Sequence, residues 1–429
     1  MKPQNLEEKV VWYTLTGTYG LYFLGAQIVV VPAMAWFLTL YLAKKLWNQT
    51  EDTPATEKIT IPFVVWVWLI SMVIMEVALI KGHIDFELGI PKIITSSIFV
   101  FAKVIVLLAL FPLIGCLKIR PQLIYRAVCI VCLQSLIFIA VCYLASRLNL
   151  PASLYSSPMR IIGRGGDIFY SVGLYGIDPD SQEIRLTLFA PWPPALGLVG
   201  NIYFFLALQE SNNKWRWIGI IGAIAMSMVS VSRLGMLCFP IVLLLTWLLT
   251  NFTRPFTQFT AGVVSVLTGM FAPLLLDWIK TLKATFASAR ASSSKVRDDL
   301  QNIGLYRWQT EAPIWGHGDI EPGPKVVQGM PIGSHHTWVG LLFTKGLVGF
   351  IALAVPLLLS FIELLIKAQK SKTASAGLSI ILVLFFFTFA EVIEGLTYLY
   401  WPGLLIMGIA FKEAVYFNKS EAYITQGKG

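Results

Sequence analysis

The sequence predicts an all-α polytopic membrane protein with about eleven crossings, within a range of ten to twelve. Three observations lead there. Of 429 residues, 56% are hydrophobic and only 13% are charged, about half the charged fraction of an average soluble domain. Apolar runs of about 20 residues recur along the chain, long enough to cross about 30 Å of hydrocarbon as helices, and only self-satisfied helices suit runs of that kind. Lys and Arg gather in every second connection between them, the pattern that orients membrane helices.

The spans are expected at residues 19–42, 61–80, 93–115, 122–146, 188–208, 217–231, 234–250, 259–278, 338–366, 378–392 and 396–410. Met1 to Lys9 leads straight into apolar sequence without a small-residue cleavage pattern, so the first span is expected to stay as an anchor. The chain divides into amino-terminal spans with a long connection at 147–186 (residues 1–186), central spans (187–278), a loop subdomain (279–336), and carboxy-terminal spans with a short tail (337–429). The loop subdomain opens with a basic stretch expected to be helical, residues 280–302. It continues through Ala312-Pro313-Ile314-Trp315-Gly316-His317-Gly318, Pro322-Gly323-Pro324 and Gly333-Ser334. Structureless loops of this length are uncommon in packed proteins, and the tryptophans in it favour a packed subdomain.

Lys44 and Lys45, Lys118 and Arg120, Lys214 and Arg216, Arg254, and Lys367, Lys370 and Lys372 mark the cytoplasmic side. The opposite side then receives the connections around His83, 147–185, Ser232-Arg233 and 279–336, and the expected location is a bacterial inner membrane with the active face periplasmic. The five cysteines all lie in or beside spans, and Cys129 and Cys132 are expected to pack rather than to ligate a metal. Lys103 falls mid-span, with Glu76 on the preceding span as its expected partner.

Arg185, Arg233, Arg290, Arg297 and Arg307 lie on the predicted external side, against the orienting bias. Guanidinium offers fixed bidentate donors matched to phosphate oxygens, so these five are candidate ligands for a diphosphate-bearing lipid. All four histidines fall on the same side. His335 and His336, at the mouth of a span, are the candidates for taking a proton from an attacking hydroxyl. The competing reading is a structural histidine at a helix start capped by Ser334 or Thr337.

Ser232-Arg233, the Pro313-Ile314-Trp315-Gly316-His317-Gly318 segment, and Ser334-His335-His336-Thr337-Trp338 running into Lys345-Gly346-Leu347-Val348-Gly349 resemble the O-antigen ligase and polymerase superfamily. The resemblance covers residues 185–350. It implies a GT-C-like helical scaffold and glycosyl transfer, without metal or other cofactor, from an undecaprenyl-diphosphate-linked glycan to a second glycan or a lipid A core. It implies no nucleic-acid partner. His335 resembles the family's essential histidine, Arg233 its corner arginine, Arg185 the arginine before the Pro-rich span, and Arg307 or Arg297 its loop arginines. Arg290 is the loosest match. The family's Asn is His336 here, which leaves open which histidine acts.

Two other classes compete. A metal-dependent GT-C transferase would use His83, Asp85 and Glu87, or Asp178 and Asp180, as ligands. A flippase or transporter would use ionisable groups within spans: Glu76, Lys103, Glu391 and Glu394.

Overall fold

The computed structural model describes residues 1–54, 58–163, 166–177, 183–252, 254–274, 276–278, 280–281, 291–327 and 329–413. Arg290, Asp178, Pro179, Asp180 and most of the carboxy-terminal tail lie outside the described residues. The molecule is an all-α membrane protein. Seven described helices are long and apolar enough to cross a membrane, or eight if the bent pair Pro255–Met270 and Ala272–Trp278 counts as one crossing. Two shorter apolar helices, Pro193–Ala207 and Lys372–Phe387, run with them.

In chain order the principal helices are α1 (Leu6–Thr16), α2 (Thr18–Phe23), α3 (Gln27–Trp47), α4 (Phe63–Asp85), α5 (Ile90–Ser96), α6 (Leu107–Ile114), α7 (Pro121–Arg147), α8 (Pro193–Ala207), α9 (Asn213–Val229), α10 (Arg233–Asn251), α11 (Pro255–Met270), α12 (Ala291–Glu311), α13 (Thr337–Ala368), α14 (Lys372–Phe387) and α15 (Thr397–Lys412). A π-helical segment, Ser97–Ile105, joins α5 to α6. Short two-stranded ribbons pair 153–156 with 171–173, 176–177 with 184–185, and 321–322 with 331–332.

The expected first span, 19–42, needs correction. Residues 6–23 and 27–47 are separate legs of a hairpin that turns at Leu24-Gly25-Ala26, where Gly25 takes φ +61°. The start of α1 returns to the basic end of the molecule: Asn5 Nδ2 donates to the Lys118 carbonyl at 2.8 Å, and Glu7 pairs with Lys45 at 2.9 Å. The basic helix expected at 280–302 also shifts, since the described helix extends to Glu311.

The alternation of the legs segregates two ends. Lys45, the 116–120 turn, Lys367 and Lys412 share one, where Lys412 Nζ reaches the Leu117 carbonyl and Lys367 Nζ the Phe411 carbonyl. The 147–192 connection, the α9–α10 corner, the 312–336 loop and the α14–α15 corner share the other. The core between them is almost wholly aliphatic and aromatic, centred on α8, α14 and α15. Cys129 and Cys132 belong to it. A Cβ on Gly219 of α9 would come within 2.6 Å of Cys129 Sγ, and one on Gly222 within 2.6 Å of the Cys132 carbonyl oxygen. The pair is therefore the surface against which two glycines let α9 close onto α7.

Candidate active site at the loop end

α13 is one continuous rod only in outline. At Gly346 it breaks (φ +62°, ψ −162°), which would orphan the amides and carbonyls on either side. The 313–318 segment satisfies them. Leu347 N donates to the Pro313 carbonyl at 3.0 Å and Val348 N to Ile314 at 3.2 Å, while the His317 and Gly318 amides donate to the Phe343 and Thr344 carbonyls, both at 2.8 Å. A Cβ at Gly346 would stand 2.2 Å from the Ile314 oxygen, so only glycine fits. The Pro-Ile-Trp-Gly-His-Gly segment and the Lys-Gly-Leu-Val-Gly segment are thus two halves of one structural joint. Irregular backbone beside a span is tolerated when protein groups satisfy it in this way.

Arg307 and His317 serve that joint. The Arg307 guanidinium bonds both Glu311 (2.7 Å) and Glu321 (2.6 Å) and lies 5.3 Å over the Phe343 ring. Those two carboxylates raise its pKa further, and Arg307 with His317 holds the Glu311 carboxyl down at about 2. His317 sets Nε2 2.8 Å from Glu311 Oε2 and Nδ1 3.0 Å from the Phe343 carbonyl oxygen, both acceptors, and its ring stacks on Phe343. His83 is similarly consumed, with Nδ1 on the Leu79 carbonyl and Nε2 on Ser96 Oγ. That leaves no ring nitrogen of His83 for a metal. Among the described residues no three of His, Cys, Asp and Glu converge to hold one.

The two tandem histidines have different circumstances. His336 is itself the N-cap of α13, its Nδ1 accepting from Val339 N at 3.3 Å. Neither proposed alternative caps the helix: Ser334 Oγ donates to the Pro331 carbonyl, and Thr337 Oγ1 donates to the Glu391 carbonyl at 2.6 Å and accepts from Ile393 N. His335 is half-buried, takes φ +66°, and among the described residues has no hydrogen bond at either ring nitrogen. Burial and the nearby Arg297 cation push its pKa down to about 4, so the imidazole is neutral at ordinary pH. His336 is lowered as well, by burial.

Thr337 and Trp338 fasten this segment to the α14–α15 corner, with Thr337 N donating to the Thr388 carbonyl and Trp338 Nε1 to Thr388 Oγ1. Glu391 in that corner is almost fully buried and accepts from Trp192 Nε1 at 2.8 Å. Burial pushes its carboxyl up to about 7, against the Trp192 bond and the Arg297 charge. Trp192 belongs to the Pro-rich entry to α8, a few residues after Arg185. The Arg185 guanidinium donates to the Ser230 carbonyl at 3.2 Å, and Leu186 N to the Val229 carbonyl. Ser232 Oγ then caps α10, placing Arg233 at its first residue.

The structure therefore gathers Arg185 and Arg233 at one corner, and His335, His336, Arg297 and Glu391 around the start of α13. Arg307 stands apart in the joint. In the sequence Glu391 stood out only as an intramembrane group of a transporter, and Trp192 was not singled out. Their signal was a carboxylate inside the apolar 375–410 stretch and a tryptophan ringed by prolines. Among the described residues five non-glycines have positive φ, and three of them, Leu188, Val231 and His335, fall in these segments. Such strain concentrates where surrounding structure over-determines a functional geometry.

Directly below His336 lies a nearly all-apolar groove of about 750 Å³ between α13 and α14, lined by Trp338, Leu342, Phe350, Leu357, Phe361 and Phe385. No family model matches the chain, and no curated protein is significantly similar to it.

Proposed function

We propose that this chain is a membrane glycosyltransferase of bacterial surface-polysaccharide assembly, taking glycan from an undecaprenyl-diphosphate-linked donor. The observation that carries the reading is the juxtaposition of an apolar groove that has His336 in its lining with His335, the next residue in the chain, which among the described residues makes no hydrogen bond at either ring nitrogen. The polyprenyl chain occupies the groove and its diphosphate lies at the loop end, among Arg297, Arg233 and Arg185. The acceptor hydroxyl attacks the anomeric carbon, the bond from that carbon to the diphosphate oxygen breaks, and the hydroxyl proton passes to neutral His335. Charge growing on the leaving diphosphate is stabilised by preorganised guanidinium donors. A single displacement inverts the anomeric centre. His335 is assigned as the base and His336 as the helix cap beside it.

In this reading the loop end faces the periplasm and the basic end the cytoplasm of a bacterial inner membrane. The acceptor is another lipid-linked repeat unit, making the protein a polymerase, with lipid A core as the alternative acceptor of a ligase. The test is reconstitution with an undecaprenyl-diphosphate-linked glycan and its acceptor. Elongation that persists in EDTA and disappears in His335→Ala is expected. Activity abolished by EDTA and intact in His335→Ala overturns the mechanism, and movement of lipid-linked sugar across liposomes with no joining identifies a transporter.

A further inference from the structure

On the other side of the α13 start is a second cavity, of about 360 Å³, with different chemistry. It extends from the Gly318–Ile320 stretch of the loop to Lys345 on α13, and it is walled by the π-helical segment and the α14–α15 corner. By helical spacing Gly340 and Thr344 face this cavity, while Trp338 and Leu342 face the apolar groove. The first turns of α13, from Thr337 to Lys345, thus separate the two, with His335 just ahead of them.

Two charged groups of opposite sign are buried in this wall. Lys345 is 5% exposed, and among the described residues its Nζ has one hydrogen bond, a long one of 3.4 Å to Thr344 Oγ1. Glu394 is also 5% exposed, and its Oε2 has no hydrogen-bond partner among the described residues. Lys103, expected to pair with Glu76, lines the cavity instead and donates to Tyr170 Oη at 3.1 Å. Buried charges left with unmet hydrogen-bonding capacity are costly. Phe99 and Phe169 add aromatic rings to a lining that is otherwise mostly aliphatic.

The combination selects among ligands. An apolar occupant would meet neither Lys345 nor Glu394. The lining holds Lys345 and Lys103 together with Glu394 and Asp319, the last paired with Lys92, so a simple anion and a simple cation would each meet like charge. A neutral polyol satisfies Lys345 and Glu394 at once, its hydroxyls donating to the carboxylate and accepting from the ammonium, with ring faces against the phenylalanines. A pocket of a few hundred cubic ångströms with aromatic walls and a few placed polar groups is the usual form of a small-ligand site.

We infer that this cavity is the acceptor-sugar site, with Glu394 and Lys345 as the groups that orient the attacking sugar, so that donor lipid and acceptor glycan approach His335 from opposite faces of the same helix. The inference rests on the transferase reading above. Two variants test it. Glu394→Gln keeps shape and removes charge. Gly395→Leu fills the cavity at a place where an added Cβ meets nothing closer than Val392 Cγ1 at 3.9 Å.

Wild-type protein and both variants are placed in nanodiscs. Calorimetry then reads binding of an oligosaccharide released by partial acid hydrolysis from the source organism's surface polysaccharide, and in parallel binding of undecaprenyl diphosphate. The expected result is oligosaccharide binding weakened about tenfold or more in both variants, with undecaprenyl diphosphate binding unchanged. Equal oligosaccharide binding in all three proteins, or none in wild type that binds undecaprenyl diphosphate, overturns the acceptor site and leaves the donor reading intact. Failure of wild type to bind undecaprenyl diphosphate strikes the transferase reading instead, and oligosaccharide binding that still depends on Glu394 and Gly395 then upholds the cavity as a sugar site.

Discussion

The two ends of this molecule treat buried charge in opposite ways. At the basic end each deeply buried carboxylate meets a cation at short range: Glu7 with Lys45 at 2.9 Å, Glu8 with Arg120 at 2.7 Å, Glu210 with Arg126 at 2.8 Å. At the loop end, among the described residues, no ion pair at contact distance is made by Glu391, which accepts from a neutral indole, by Glu394, or by Arg297, which acts on His335 and Glu391 through space. A buried charge without its counter-ion costs several kcal/mol, and a fold retains that cost where it serves binding or catalysis. On the reading proposed above, the paired end is scaffold and the unpaired end carries the site. The joint at Gly346 shows that position alone is not the criterion. Arg307, Glu311, Glu321 and His317 lie at the loop end, yet they are paired like the basic end and act as scaffold.

The sharpest break in this comparison is His335→Ala. Loss of a general base costs typically 10²–10⁴-fold in rate, and a loss of that size in transfer, with undecaprenyl diphosphate binding retained, is expected in the reconstituted assay. A loss smaller than about tenfold would put the base elsewhere, Glu391 being the next titratable group at the same corner.

The matching experiment at the other end is Arg126→Met. Its side chain is 15% exposed and that of Glu210 is 1% exposed, so removal of the cation strands a buried carboxylate at a cost of about 3–5 kcal/mol. Thermal unfolding should shift down markedly, while transfer per folded molecule at low temperature stays near wild type. Lost chemistry in protein that unfolds like wild type would erase the distinction between the ends.

The helical layout was legible from composition and periodicity because the bilayer imposes length and polarity on every leg. The hairpin at Leu24-Gly25-Ala26 was not, since residues 6–47 are apolar on both sides of a three-residue turn and hydropathy does not register a reversal. The candidate site was legible only in part. The loop histidines and the corner arginines stood out as residue types on one face, but the role of each depends on what already occupies it. Arg307 and Arg297 look equivalent in sequence. Glu311 and Glu321 take the first and leave the second. His335 and His336 were indistinguishable until one proved to be a helix cap.

A smaller effect concerns pH. With the His335 pKa lowered to about 4, the base form persists through pH 5, where an ordinary histidine is almost wholly protonated. Transfer limited by His335 should hold down to pH 5 and fall through about pH 4. Arg297 contributes to that depression, so Arg297→Met raises the histidine pKa and moves the acid limb to higher pH, whatever it does to the plateau. His336 and Glu391 face the same corner, and a limb that stays in place when Arg297 is removed would assign it to one of them.

The smallest expected change is the most discriminating for the histidine pair. If His336 acts only by capping α13, a residue that caps better should replace it, and Asn is among the best N-cap residues whereas Ala lacks a cap and costs about 1 kcal/mol. His336→Asn should then keep transfer within about twofold of wild type and unfold at the same temperature or slightly higher, while His336→Ala unfolds a few degrees lower. The same pair of measurements can reverse the assignment. A large rate loss in His336→Asn with unchanged unfolding would make His336 the proton acceptor and leave His335, with its strained backbone, as the residue that positions it.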